Sequence, residues 1–122
     1  MALQDLKVED LEIKVSSARG KIELTCRGAI HSVSPDEYLN PYFDDVVDEA
    51  VRQKSRVVCN FVELEYMNSA SIPPLIALLR QLAENKIKGE FIYDSKRKVQ
   101  TASFRALDVI ARKSDYTVVK GV

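Results

Sequence analysis

The sequence predicts an α/β fold: a single domain over residues 1–122, with a mixed β-sheet that opens on a hairpin and has helices packed against it. Three observations carry this. Two alternating apolar–polar runs, "LEIKVSS" (11–17) and "KIELTC" (21–26), flank Arg19-Gly20, which is the period-2 signature of a hairpin. Three later segments switch to a helical period. Between and after them lie short apolar runs, and strands separated by helices imply parallel neighbours joined by right-handed crossovers. The predicted order is β-β-α-β-α-β-α-β, with residues 1–10 a candidate flexible N-terminal segment.

After the hairpin, "SPDEYLNPYFDDVVDEAVRQK" carries Leu39, Phe43, Val46 or Val47, and Ala50 on one helical face. Ser34-Pro35 with Glu37 resembles a capping box, and Asn40-Pro41 offers a second start. A proline inside a continuous helix removes a hydrogen bond and crowds the preceding turn, so the main helix is expected after Asn40. "RVVCNFVEL" (56–64) is a near-continuous apolar run, which suits a strand covered on both faces. Val57, Cys59 and Phe61 should be buried on one side, and Val58 and Val62 covered from the other. Asn60 then needs an interior hydrogen-bond partner. The next helix carries Leu75, Ile76, Leu78, Leu79 and Leu82 and should end near Lys86 to Gly89. "GEFIYD" is a strand. "SKRKVQTASFRALDVIARKS" is a helix with Val99, Ala102, Ala106 and Ile110 expected inward, and "YTVVKGV" is a last strand.

Composition narrows the function classes. Eighteen basic and eighteen acidic residues give a formal net charge of zero, so no global field favours nucleic acid or an anionic membrane. "MALQDLKVED" lacks the apolar core of a signal peptide, and no run is long enough to cross a bilayer, so a cytoplasmic protein is expected. Cys26 and Cys59 lie in apolar strand-like segments without CxxC or Cys/His spacing, as buried reduced thiols do. The four glycines are scattered and form no phosphate-cradling loop. His31, the only histidine, sits in a loop with no nucleophile beside it and reads as exposed. Asp44, Asp45, Asp48 and Glu49 form an acidic helical stretch that reads as a solvated face, with a docking surface as the alternative. Glu63 and Glu65 have the spacing of a carboxylate pair but no substrate site. No enzyme activity, metal, cofactor or small-molecule substrate is expected.

The informative stretch is "YMNSASIPPLIALL" (66–79), where Asn68, Ser69 and Ser71 precede two prolines and an oily run. A helix start leaves backbone N–H groups unpaired, and a serine side chain can satisfy one, worth about 1 kcal/mol. Ser71 lies closer to the helix and is the better cap. Ser69 is left over, beside a helix N-terminus whose dipole and unpaired N–H groups favour an anion.

The run from Val57 to Ile72, "VVCNFVELEYMNSASI", resembles the central strand and switch loop of STAS domains (named for sulphate transporters and anti-sigma-factor antagonists). Their usual pattern is an apolar strand with an Asp, a short loop, then Asp-Ser-Ser-Gly-Leu opening a helix. Asn60 stands at the strand Asp, Asn68 at the loop Asp, and Ser69 at the serine that bacterial members have phosphorylated. Ala70 replaces the second serine, Ser71 the glycine, and Ile72 the leucine. These departures are similar to the SiaC-type regulatory phosphoproteins, whose loop is Leu-Asn-Thr-Ser-Ser-Ile and whose Tyr-Asp and basic residues resemble "YDSKRKVQ". The resemblance spans roughly residues 20 to 120. STAS domains often add a helix after the last strand, where this chain stops, so helical cover there is expected to be missing.

The resemblance implies a non-enzymatic regulator that binds protein partners. A serine/threonine kinase would modify Ser69 (second choice Ser71) and a PP2C-type phosphatase would restore it. The target would be an anti-sigma factor or a diguanylate cyclase. Asn68, unlike Asp, cannot act as a general base, so the phosphoryl chemistry would come from another protein. If the strands at 57–62 and 90–93 are parallel, Asn68, Ser69, Ala70 and Ser71 share a rim with Asp94, Ser95, Lys96 and Arg97. Lys96 and Arg97, expected in a helix's first turn, oppose the dipole there. They are therefore candidates to receive an acidic partner or the phosphorylated loop. Two other readings stand beside this one: a constitutive STAS-like scaffold in which Ser69 only shapes the turn, and a small enzyme or nucleotide binder on a flavodoxin-like sheet.

Overall fold

The computed structural model of the protein describes residues 3–122. The strands are β1 (Leu6–Val8), β2 (Leu11–Ala18), β3 (Lys21–Ile30), β4 (Arg56–Asn60), β5 (Leu64–Met67), β6 (Gly89–Tyr93) and β7 (Thr117–Gly121). The helices are α1 (Asp36–Gln53), α2 (Ile72–Glu84) and α3 (Lys98–Ala111), and a 3-10 turn over Ser69–Ser71 leads into α2. One seven-stranded sheet has the order β1-β2-β3-β4-β6-β7, with β5 on β3. The mixed sheet, opening hairpin and helical crossovers agree with the predicted class.

The hairpin pairs β2 with β3 from Leu11↔Gly28 to Ala18↔Lys21, leaving Arg19-Gly20 as its turn. Gly20 has a φ of 77°, which a residue without Cβ adopts without strain. β3 is long because it serves two partners. Its first half lies parallel to β4 (Lys21↔Arg56 to Thr25↔Asn60), and its end lies parallel to β5 (Gly28↔Leu64 to Ile30↔Met67). β4, β6 and β7 are parallel neighbours.

Five expectations need correction. The segment 56–64 is not one strand. Asn60 Oδ1 accepts the Val62 N–H at 2.9 Å, Leu64 N–H bonds to Phe61 O at 3.0 Å, and the chain turns before entering β5. That side-chain bond is Asn60's partner, and it breaks the ladder. Further upstream, β1 pairs with β2 through Leu6↔Ile13 to Val8↔Leu11, so part of the N-terminal segment is strand.

The main helix starts at Asp36, not after Asn40, and Pro41 lies inside it. Leu39 before the proline and Phe43 after it are both buried, so the core holds each side and outweighs one missing hydrogen bond. Among the described residues, helical cover is present on one face only. Leu11, Ile13, Ile22, Leu24, Cys26, Val57, Cys59 and Phe91 join residues of all three helices in one core. On the other face Val58 is still 5% exposed, but its cover comes from its strand neighbours Glu23 and Glu90. Those carboxylates pair with Lys21 (3.4 Å) and Lys120 (3.3 Å), while Val62 is half-buried and Val118 is exposed.

The last correction is the inner face of α3. Gln100, Phe104, Leu107 and Ala111 are buried, whereas Val99, Ala102 and Ala106 are exposed and Ile110 is half-buried. The helix carries two apolar stripes, and the one with the larger side chains, Phe104 and Leu107, takes the core because it removes more apolar area from water.

Both cysteines are buried and free, and burial pushes the Cys26 thiol up to about 12 and Cys59 well above the usual thiol range. Asp44, Asp45 and Asp48 are solvent-exposed, but Glu49 is buried. The Gln53 amide donates to it at 2.6 Å and Arg52 pairs with it, which together hold the carboxyl below its ordinary value. Glu63, exposed, pairs with Arg27 at 3.2 Å, and no cluster of metal-ligating side chains occurs among the described residues. No described helix is long and apolar enough to cross a membrane.

Candidate functional site

Parallel strands share a polarity, so β3, β4, β5 and β6 all end on one rim. Three loops meet the solvent there: residues 31–35 after β3, 68–71 after β5, and 94–97 after β6.

The 68–71 loop is fixed by Asn68. Its backbone N–H bonds to Ile30 O at 3.2 Å and its Nδ2 donates to Ser32 O at 2.8 Å. Its Oδ1 accepts the Ser71 hydroxyl at 3.0 Å, and its carbonyl accepts the Ser71 N–H at 3.1 Å. Ser71 is 0% exposed. Its hydroxyl is committed inward, and it makes no side-chain cap to α2. The expectation that Ser71 caps the helix is therefore corrected: its job is to lock Asn68. Ser69 is exposed, Ala70 is half-buried, and the Ser69 hydroxyl takes no part in these bonds.

The start of α2 also differs from expectation. Pro73 and Pro74 fill its first turn, and the Ile72 N–H bonds to Ser69 O. Ile72 is helical (φ −67°, ψ −49°) despite the proline after it. This helix end presents few backbone donors, so it is not the N–H cradle expected for an anion. A negative group on Ser69 would face outward.

The neighbouring 31–35 loop is held through Ser32, whose hydroxyl donates to Glu9 Oε2 at 3.2 Å and accepts from Tyr38 at 3.0 Å. Exposed His31 stacks on Tyr66 with ring centroids 4.9 Å apart, and Val33 is 91% exposed. An aromatic and apolar surface thus lies where β3 and β5 end and lead into the loops on this rim. Sequence inspection missed it because neither segment looks special alone, and only the β3–β5 pairing joins them.

The 94–97 loop is a tight turn. Asp94 Oδ1 accepts the Lys96 N–H at 2.9 Å. Arg97 Nε lies 3.5 Å from Asp94 Oδ2, and that buried N–H makes no hydrogen bond, so the pairing is Coulombic. Lys96 and Arg97 precede α3 rather than forming its first turn, and neither Asp94 nor Ser95 caps it. The Ser95 hydroxyl donates to Val122 O at 2.7 Å.

Hydrogen bonds tie the 68–71 loop to residues 30–32, not to 94–97. The link across the rim is Gln100, a residue whose role the sequence did not suggest. Gln100 is 1% exposed; its Oε1 accepts the Asp94 N–H at 3.2 Å, and its Nε2 donates to Phe61 O at 3.2 Å and to Leu64 O. One buried amide therefore joins the turn that launches β5 to the loop that launches α3.

Neither family models nor curated proteins match this sequence. Solved structures do, and they define a class: the fold is the STAS-like fold of anti-sigma factor antagonists. An anti-sigma factor antagonist from Mycobacterium paratuberculosis aligns at TM-score 0.65 and 17% identity over 86% of each chain. SiaC, solved in complex with the diguanylate cyclase SiaD that it activates in Pseudomonas aeruginosa, aligns at TM-score 0.64 and 15% identity. That match covers 97% of this chain and 98% of the other. The antagonist SpoIIAA in its unphosphorylated form aligns at TM-score 0.54 and 12% identity, over 87% and 86%.

Proposed function

We propose that this protein is a non-enzymatic, cytoplasmic partner-switching regulator whose protein-binding rim is controlled by phosphorylation of Ser69. The observation that carries this is the division of labour between the two serines. Ser71 is buried and bonded to Asn68, while Ser69 stands exposed on the same rigid loop with an uncommitted hydroxyl. A kinase can reach Ser69 without unfolding anything. Phosphate there adds about −1.5 to −2 charges on the rim that also carries Tyr66, His31 and Val33.

In this reading the partner sits over Asn68, Ser69 and Ala70, with Ser71 beneath as the lock. Asp94 and Ser95 shape the adjacent turn, and Lys96 and Arg97 receive acidic groups of the partner. A serine/threonine kinase and a PP2C-type phosphatase would set the state. The fold shared with an anti-sigma factor antagonist and with a cyclase activator supports a target of one of those two kinds.

The test is site-localised mass spectrometry of protein purified from its native host. Phosphate on Ser69 is expected; phosphate only on Ser71 or Ser95 overturns the assignment, and no phosphate under any growth condition favours a constitutive scaffold. With a partner in hand, Ser69→Asp should weaken binding about 10-fold while Ser69→Ala should not. Lys96→Ala and Arg97→Ala should lower affinity in a salt-dependent way.

A further inference from the structure

The apolar stripe that the core rejects is the least explained surface of the molecule. At about 100° per residue, Val99, Ala106, Ala102 and Val109 fall within one narrow sector of α3, turned away from Phe104 and Leu107. Val99 is 56% exposed and Val109 is 63% exposed. On one side the stripe continues through half-buried Ile110 into a groove of about 200 Å3 between α2 and α3, lined by Leu79, Arg80, Ala83 and Lys113. On the other side it is bordered by Lys98, Arg105 and Arg112, the next line around the helix. Arg112 pairs with Asp108 at 2.9 Å. Among the described residues, no carboxylate lies within ion-pair distance of Lys98, Arg105, Lys113 or Arg80.

We propose that this outer face of α3, with the α2–α3 groove, docks an acidic amphipathic helix of a partner protein. Charge selects the occupant. In a chain of zero net charge, four unpaired cations surround one apolar strip, and the complement is an apolar seam flanked by Asp or Glu. A second copy of this chain is disfavoured, because a two-fold contact through this patch would set those cations against each other. A lipid surface is disfavoured because Val and Ala side chains are short and the stripe has no Trp, Phe or Leu to insert. Ala102 and Ala106 at its middle leave room for a helix axis at about 8 Å. Val99 to Val109 spans roughly 15 Å, or three turns of a partner helix.

The groove lies seven to eleven residues along α2 from Ile72, about 10–16 Å from the Ser69 loop. That separation exceeds a Debye length, so charge on Ser69 should leave the groove's own affinity unchanged, giving a standing attachment beside a switchable one. This inference does not depend on phosphorylation.

The probe is an 18-residue synthetic helix with leucines at i, i+3, i+4 and i+7 spacing and glutamates beside them, together with a counterpart carrying lysines instead. Each is titrated into the full-length isotope-labelled protein and followed by backbone amide NMR at low and at 0.3 M salt. The glutamate helix should perturb residues 98–113 and 79–83, bind more weakly as salt rises, and bind Ser69→Asp as well as the parent. Arg105→Glu and Val109→Glu, both at exposed positions, should each weaken it at least 10-fold. No binding, equal binding of the lysine helix, or perturbations centred on residues 66–71 would overturn the proposal. So would anionic vesicle binding or self-association that Val109→Glu abolishes, since each names another occupant.

Discussion

Replacing Gln100 tests whether one buried amide holds the rim together. Gln100→Leu keeps the approximate volume and removes all three hydrogen bonds. The losses are unequal. Phe61 O retains the Leu64 N–H at 3.0 Å, and the part-buried Asp94 N–H can take water. Leu64 O loses its side-chain partner in the interior, and an unmet buried group costs about 1–3 kcal/mol. Leucine returns up to ~1 kcal/mol in apolar burial. The net expectation is a loss of about 1–2 kcal/mol, or roughly 3–12 °C in melting temperature for a domain of this size. Urea unfolding with an unchanged m-value measures it, and amide exchange should quicken at Asp94 and through 61–67. The partners also fix the amide's orientation, since two carbonyls face Nε2 and one N–H faces Oε1. Gln100→Glu would set an anion against both carbonyls and should cost more than leucine at neutral pH. If leucine costs less than about 0.5 kcal/mol, or more than glutamate, Gln100 is not the donor that ties β5 to α3.

Asn68→Asp exchanges the Nδ2 donor facing Ser32 O for a carboxylate oxygen and should lower stability by about 1–2 kcal/mol in urea unfolding. Gly28→Ala should be harsher, at roughly 3 kcal/mol or more by thermal unfolding. Gly28 has a φ of 87°, and an added Cβ would overlap the Asp10 carbonyl at the β3 bulge. Cys26, raised to about 12 by burial, should resist alkylation at pH 8 until the protein unfolds. Because its folded value lies above the unfolded one, its contribution is intact below about pH 8.5 and is lost as pH rises toward 12. Glu49 has the opposite sign: its lowered carboxyl stabilises above about pH 4.5, and the benefit fades as pH falls. A Glu49→Gln variant should therefore lose less stability than the parent between pH 5 and 3.

Which features were legible follows from how locally each is encoded. The hairpin, the parallel strands and α2 could be read from periodicity because one side-chain pattern dominates each. α3 could not, because Val99/Ala102/Ala106 and Phe104/Leu107/Ala111 both repeat at helical spacing, and only packing area decides between them. Pro41 misled for a related reason: its cost is local, while the burial of Leu39 and Phe43 that overrides it is tertiary. β5 was hidden inside an apolar run, since Asn60 looks like a strand residue until its side chain is seen accepting Val62 N–H. At the rim, the positions of Asn68 and Ser69 were read from motif resemblance. The partners that hold the loop, Ile30 and Ser32, and the amide that links the rest of the rim, Gln100, are remote in sequence and carry no motif.

The residue at position 68 bears directly on how large a switch this loop could make. Residues 66–79 contain no Asp, Glu, Lys or Arg. Asn68 does the structural work of the loop, bonding Ser32 O and Ser71, without contributing charge. An aspartate there would lend the unmodified loop a constant negative charge within a Debye length, about 8 Å at physiological salt, of anything docked on Ser69. A partner suited to the unmodified form would then have to tolerate some negative charge already. With asparagine the same partner meets a neutral loop, and phosphate changes the local charge from zero to about −1.5 to −2. The prolines of α2 act in the same direction by withholding backbone donors that would otherwise neutralise the phosphate. Under the proposed switch, the contrast between the two states is therefore felt by the partner rather than absorbed by this protein's own fold.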